Sequence, residues 1–309
     1  MAFTARATLD ELRSDYLAKP VPYAALTPGG GGGPFPLCIV LHGGGGSRQS
    51  LLDCAGLFEQ WWSDGSLPPM VLVSPSAEMS YYLEDPGQNE RWDAFIADAF
   101  LNHLHATHNV RTHRDSTVIA GMSMGGYGAL KIAFAYPDRF AGVAAMSPVI
   151  EPGTSIYQIT PRNTLHHFAG GPSRLIGPER DESVFAANNP ANRAIANAGE
   201  IRKHDLAIYI ECGDHDFINV HDGAEYLHRV LWNLDISHEY RLTRGADHIG
   251  PTLIPRMRQA YLWLGSVLTP GATDDQDELI RSLRAQLEPV RRQAAPLDAT
   301  IDRRYGRLP

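Results

Sequence analysis

The stretch from Thr117 to Tyr136 reads TVIAGMSMGGYGALKIAFAY, and its reading decides the fold class. Its first four residues are a short β-prone run that ends in glycine, as a buried strand does. A helix follows from about Met124 to Tyr136. Between them stands Gly121-Met122-Ser123-Met124-Gly125, a G-x-S-x-G pattern. A serine carried on a sharp strand-to-helix turn needs small residues two before and two after it. Such a turn lifts the Ser123 hydroxyl above the sheet. It also aims the next backbone N–H, that of Met124, at a developing oxyanion. A plain glycine-rich turn could carry the same letters, but the strand before and the helix after favour a nucleophile elbow.

Upstream, His42-Gly43-Gly44-Gly45-Gly46 follows the apolar run LCIVL, Leu37 to Leu41. An elbow of this kind takes its second oxyanion donor from the loop after an early strand, where glycine lets the backbone approach the substrate. Gly44 is the expected donor, and His42 is read as a hydrogen-bonding residue of that loop. Glycine-rich loops also cradle phosphate. Here a G-x-G-x-x-G order fails, because its third glycine would fall at Arg48 or Gln49, and no P-loop lysine follows.

Downstream, Glu211-Cys212-Gly213-Asp214-His215-Asp216-Phe217 follows another apolar run. An orienting acid belongs on such a loop. Asp216 and Asp214 compete for the role. Asp216 is favoured because Phe217 and Ile218 would shield its carboxylate, which leaves Asp214 as a turn former. The base is expected at His248, in GADHIG, Gly245 to Gly250. The order Ser123, Asp216, His248 is the nucleophile–acid–base order that goes with this kind of elbow. Of the 13 histidines, His103, His105 and His108 read as solvated positions near a helix end. There is no H-E-x-x-H and no paired C-x-x-C, so neither a metal nor a cofactor is expected. Tyr82 and Trp92, with Tyr81 and Arg91 beside them, are expected to line the substrate pocket. Trp92 reads equally well as a core anchor of its helix.

Further outward the same rhythm recurs. Met70–Ser74, Phe140–Met146, Leu206–Cys212 and His238–Leu242 are strand-like, and Ser50–Trp62 and Trp92–Thr107 are helix-like. The alternation implies parallel βαβ units, hence an α/β protein with a mostly parallel, doubly wound sheet. Residues 1–36 read as a short amphipathic helix, an edge strand at Val21–Leu26 and the turn PGGGGGPFP. Residues 37–268 form the expected catalytic domain, with 147–204 as an irregular, lid-like excursion above the sheet. Residues 269–309 form a helical tail. There Thr273 can cap a helix that places Leu279, Ile280, Leu283 and Leu287 on one face. Such a stripe must be buried, either on its own subunit or on a second copy as a homodimer.

Composition bounds the function. The chain has 309 residues, with 27 Lys+Arg against 35 Asp+Glu. The net charge of −8 argues against a nucleic-acid partner. With 43% hydrophobic and 20% charged residues the chain can bury a sizeable core. Three cysteines make no disulfide framework and fit a reduced compartment. No run approaches the roughly 20 apolar residues of a membrane span. The first residues lack a signal-peptide pattern, so a cytoplasmic location is expected.

These residues carry a family resemblance. AGMSMGGYGALKIAFAYPDRFAGVAAMSP (120–148) resembles the elbow-and-helix signature of the esterase D family of α/β-hydrolases. SYYLEDPGQNERWDAFIADAFLNHL (80–104), FAANNPANRA (185–194) and CGDHDF (212–217) resemble that family's loop and helix before the elbow, its Asn-Pro segment and its acid loop. The resemblance covers roughly Val21 to Leu268. It implies an α/β-hydrolase fold and a Ser123–His248–Asp216 triad with Gly44 and Met124 as oxyanion donors. It does not select a substrate; the expected function is a serine esterase acting on small or medium carboxylic esters. The alternatives are an acyltransferase on the same triad and a non-catalytic hydrolase-fold binding protein. S-formylglutathione hydrolases of the family carry a Thr-Cys-containing oxyanion loop, from which HGGGGS departs.

Overall fold

Strand residues that alternate between two apolar layers build the sheet. The computed structural model describes residues 3–85, 89–163, 181–269 and, in the tail, 282–283, 285–287 and 289. The strands are β1 (Ala5–Leu12), β2 (Val21–Pro28), β3 (Leu37–Leu41), β4 (Val71–Pro75), β5 (Thr117–Met122), β6 (Gly142–Met146), β7 (Ala207–Gly213) and β8 (Glu239–Thr243). They form one 8-stranded sheet in the order β1-β2-β4-β3-β5-β6-β7-β8. From β4 to β8 all neighbours are parallel. β2 alone runs against the rest, antiparallel to both its neighbours β1 and β4. The doubly wound expectation holds.

Leu37, Ile39 and Leu41 of β3, Ile119 of β5 and Val143 of β6 face one apolar layer. Cys38, Val118 and Ala144 face the other. The second layer is closed by α1 (Ala55–Ser63), through Phe58, Trp61 and Trp62, and by the C-terminal helix of the sheet region, through Ala260, Tyr261 and Leu264. The helices α2 (Leu101–Thr107), α3 (Met124–Ala135), α4 (Pro190–Lys203) and α5 (Val220–Asn233) send their buried residues into the first layer. That C-terminal helix is α6 (Leu253–Leu268). Burying a Leu- or Phe-sized side chain contributes about 1.5–3 kcal/mol, so each layer holds its helices without polar help. One polar tie is added on α3. Lys131 is fully buried and pairs with Asp93, whose other oxygen receives Arg193 of α4 at 2.8 Å. Burial drives the Lys131 ammonium below its usual range, and the neighbouring carboxylate opposes this.

Two regions depart from the sequence reading. The N-terminal helix is instead β1, paired residue for residue with β2 from Ala5 to Leu12, so β2 is not an edge strand. Its side chains are largely exposed. The open edge of β2 decides the conformation, and β1 covers it with a strand that carries charges. The stretch 147–204 is not irregular throughout. Its second half contains α4, whose Asn189 side chain accepts from the N–H groups of Ala191 and Asn192, with Pro190 opening the helix. Small Ala191, Ala194 and Ala198 form the buried face with Ile201. Alanine gives a weak apolar signal, and so the helix was not visible as a periodic run.

The chain divides into a unit Met1–Leu268 and a unit Thr269–Pro309. In the tail, Thr273, Leu279 and Ile280 lie outside the described residues. Leu283 and Leu287 are exposed. Among the described residues no helix is long and apolar enough to cross a membrane.

One stability prediction arises from the elbow packing. A Cβ on Gly125 would meet the Leu41 carbonyl oxygen at 1.9 Å, and one on Gly121 would meet the Gly125 oxygen at 2.1 Å. These are backbone atoms of β3 and α3, which cannot swing away. Gly125→Ala should therefore destabilise the fold by about 3 kcal/mol or more, read as a lower thermal midpoint. Gly56→Ala, where the added atom meets nothing within 4 Å, is the control and should raise the midpoint slightly.

Candidate active site

Ser123 sits between β5 and α3 with φ 56° and ψ −118°. A left-handed backbone at a non-glycine residue costs about 1–3 kcal/mol and persists only where its surroundings over-determine it. Here the Ser123 N–H donates to the Met146 carbonyl at 2.8 Å, and its own carbonyl accepts from Tyr127 N at 3.0 Å. Met124 opens α3, so its N–H is among the first four of the helix, which have no acceptor inside it.

Three loops at the C-terminal ends of β5, β7 and β8 meet at the Ser123 hydroxyl. His248 Nε2 lies 2.9 Å from Ser123 Oγ. His248 Nδ1 lies 2.7 Å from Asp216 Oδ2. With Nδ1–H donating to the carboxylate, Nε2 is left to accept the serine proton. Asp216 is 2% exposed, and its Oδ1 accepts from Ile218 N at 3.1 Å. Asp214 does not join this group. Its carboxylate accepts from Gly245 N at 2.6 Å and staples the turn that leads to His248. Asp247 accepts from the N–H groups of Phe217 and His248, and these bonds hold its carboxyl below the usual range. Burial pushes the Cys212 thiol well up, so the thiol beside Asp216 stays protonated and inert.

The glycine loop after β3 is held by His42. His42 Nε2 accepts from Ala77 N at 2.8 Å, so Nδ1 carries the proton and donates to the Gly43 carbonyl at 2.8 Å. Burial lowers the ability of His42 to take a second proton. The loop's contribution to stability is therefore present above the ordinary histidine range and is lost as pH falls below it. A Cβ on Gly43 would come within 3.5 Å of Ser123 Cβ, so this loop borders the serine. Gly44 neighbours Met79, whose sulfur accepts from Gly45 N at 3.2 Å.

Tyr82 and Trp92 sit differently from the expectation. Tyr82 is fully buried, and its hydroxyl donates to the His42 carbonyl at 3.2 Å. It supports the glycine loop from beneath and has no surface to offer a substrate. Trp92 is also buried and packs edge-on against Tyr82 and Phe95. The core-anchor reading describes it, although its rim borders a cleft of about 380 Å³ next to Leu17, Val21 and Met79. Neither role could be read from spacing, since the loop residues Tyr81 and Tyr82 both have positive φ.

The sequence reading missed Arg256 and Glu211. Arg256 lies on α6 in line with Ala260, Leu264 and Leu268, all buried. Glu211 interrupts the apolar run of β7 and is 1% exposed. An acid inside a buried strand and an arginine on a buried helix stripe each demand a partner. That was the available signal.

The comparisons with known proteins agree with this architecture. The family of putative esterases matches residues 17–249. An acetyl esterase of Caldicellulosiruptor saccharolyticus is 29% identical over 191 residues, 58% of this chain and 65% of that protein. A diacylglycerol acyltransferase/mycolyltransferase Ag85A of Mycobacterium tuberculosis is 25% identical over 204 residues, 62% of this chain and 57% of that protein. The chain thus spans less than two thirds of the length of these curated relatives. A solved ferulic acid esterase superposes with a TM-score of 0.68 at 19% identity, covering 86% of this chain and 99% of that one. At that identity the likeness is one of fold, that of the α/β-hydrolases.

Proposed function

Because the chain belongs to the putative esterase family, we propose that it is a serine esterase hydrolysing small or medium carboxylic esters through an acyl-enzyme on Ser123. The observation that carries the reading is the relay of Ser123, His248 and Asp216 at 2.9 and 2.7 Å, mounted on a strained turn. His248 takes the Ser123 proton as Oγ attacks the ester carbonyl. Asp216 holds the imidazole tautomer and stabilises the imidazolium. The N–H groups of Met124 and Gly44 receive the oxyanion. The protonated His248 gives its proton to the leaving alcohol, and water then repeats the sequence to release the acid. No step draws on a metal or cofactor. The test is turnover of aryl esters of graded acyl length, with a fluorophosphonate adduct on Ser123 as the second readout. No adduct would support a binding protein instead.

The likeness to Ag85A, named as an acyltransferase, favours one second reading. On the same relay an added alcohol would replace water in the second half-reaction. Ester formation exceeding acid release in the presence of that alcohol would make the chain a transferase.

Turnover should rise with pH through a single ionisation, because the base must be unprotonated to act. Chelators should leave it unchanged. Inactivation by a chelator, reversed by added metal, would contradict the mechanism. Circular dichroism across the same range separates this limb from loosening of the His42 loop.

The tail and the location complete the proposal. Three free cysteines suit a reducing, cytoplasmic setting. The apolar stripe of the tail is assigned to a homodimer. Truncation after Pro270 should keep hydrolysis and lower the mass seen by light scattering. An unchanged mass would remove the assembly role.

A further inference from the structure

The ion pair of Arg256 and Glu211 lies outside the Ser123–His248–Asp216 relay, yet it grips the loop that carries His248. Arg256 is 3% exposed. Its Nη1 donates to Glu211 Oε1 at 3.1 Å, to Glu211 Oε2 at 3.0 Å and to Ser147 Oγ at 3.1 Å. Its Nη2 donates to the carbonyl oxygens of Asp247 at 2.6 Å and of His248 at 3.4 Å. Those carbonyls belong to the peptides on either side of the His248 Cα. The Glu211 carbonyl in turn accepts from Ser147 N at 2.8 Å. One guanidinium therefore links α6, β7, the residue after β6 and both peptide planes that set where the imidazole stands.

We propose that Arg256, balanced by Glu211, is a positioning residue for His248: it holds the imidazole in register with Ser123 Oγ and sets the charge around it. The inference rests on the reading of His248 as the base. Stability alone does not call for a charge here. A buried ion pair replaced by well-packed apolar groups is often neutral or better. What an apolar pair could not do is hold two carbonyls of the base loop and balance the charge of the acid side.

The charge argument has a definite sign. The groups facing His248 are Asp216 on the loop after β7, Asp247 beside it in sequence, Glu211 on β7 and Arg256 on α6. His215 lies near Asp247, and the Cys212 thiol lies near Asp216. Burial pushes the Glu211 carboxyl up, Arg256 brings it down, and Asp216 and His248 also act on it. The pair and the relay thus feel each other. Removing the Arg256 charge takes a positive group from beside the imidazole, which favours the protonated imidazole to the extent that Glu211 keeps its own charge. Removing the Glu211 charge leaves Arg256 uncompensated, which disfavours that form.

The test uses Arg256→Gln, Arg256→Lys, Glu211→Gln and His248→Ala in the full chain. It reads kcat and KM against pH on a small aryl ester and the pH dependence of fluorophosphonate inactivation, with circular dichroism on each variant. Arg256→Gln should move the acid limb to higher pH and Glu211→Gln should move it to lower pH, each by about half a unit or more. Arg256→Lys keeps the charge but cannot reach all the acceptors. It should leave the limb in place while kcat falls about tenfold or more with KM little changed. A purely structural pair would not shift the limb in opposite directions. Unmoved limbs in Arg256→Gln and Glu211→Gln overturn the inference. If Arg256→Gln does not fold, an unmoved limb in Glu211→Gln alone overturns it. Wild-type turnover in His248→Ala would overturn the base reading itself. A dead His248→Ala with unmoved limbs in the others sinks only the positioning role.

Discussion

Ser123→Ala should reduce ester turnover by about 10³-fold or more while leaving the fold intact. Oγ is the only atom removed, and it is the atom that bonds the acyl group. The elbow does not depend on it, because its turn is held by backbone bonds from Ser123 N to Met146 O and from Tyr127 N to Ser123 O. The variant should keep its circular dichroism and lose its fluorophosphonate adduct together with its turnover. The alternative nucleophiles are few. The Cys38 and Cys212 thiols are buried and pushed well up from the usual cysteine range. Near-wild-type turnover in the purified variant would remove the mechanism as a whole, since among the described residues Ser123 is the hydroxyl hydrogen-bonded to His248 Nε2.

Asp216→Asn should have an effect of at least that order, a loss of about 10³- to 10⁴-fold, while Asp214→Asn should stay within about threefold of wild type. The two aspartates are two residues apart and chemically alike, so the contrast isolates geometry. An amide at position 216 can offer its NH2 to His248 Nδ1, which turns the ring into the wrong tautomer and puts a proton on Nε2. At position 214 the amide oxygen still accepts from Gly245 N, a bond of 2.6 Å in the native chain. Equal damage in both variants, or greater damage in Asp214→Asn, would mean that the relay runs through the other carboxylate.

Much of the architecture could be read from the chain because buried parallel strands announce themselves. LCIVL and TVIA are apolar on both faces, LAIYIEC is so except for Glu211, and a glycine stands within two residues of the end of each. Ser123 and Asp216, the proposed nucleophile and acid, were legible for a related reason, since each stands on the loop after such a strand, whereas His248 follows the half-exposed β8 and was picked out by its place in the chain order. Other parts depended on tertiary context. The segment of β1 has residues that suit a helix, and only the open edge of β2 makes it a strand. The helix α4 hides behind alanines. Tyr82 looked like a pocket residue because it is aromatic and stands before the helix that leads to the elbow strand. Its hydroxyl points inward to the His42 carbonyl, a contact between residues forty positions apart that no local pattern encodes. Arg256 and Glu211 lie between these cases. Each is out of place in its own element, but which charge answers which is decided by the fold.

The backbone of Ser123 also limits what the chain could become. A residue at φ 56° must do without branching at Cβ. Threonine has a hydroxyl of the same chemistry, but its extra methyl would have to be forced into that left-handed turn, so a threonine nucleophile is closed to this lineage. Cysteine is unbranched and remains open. The turn therefore acts as a filter on heredity: among the side chains that could attack a carbonyl, it lets a line of descent exchange oxygen for sulfur but does not let it add a carbon.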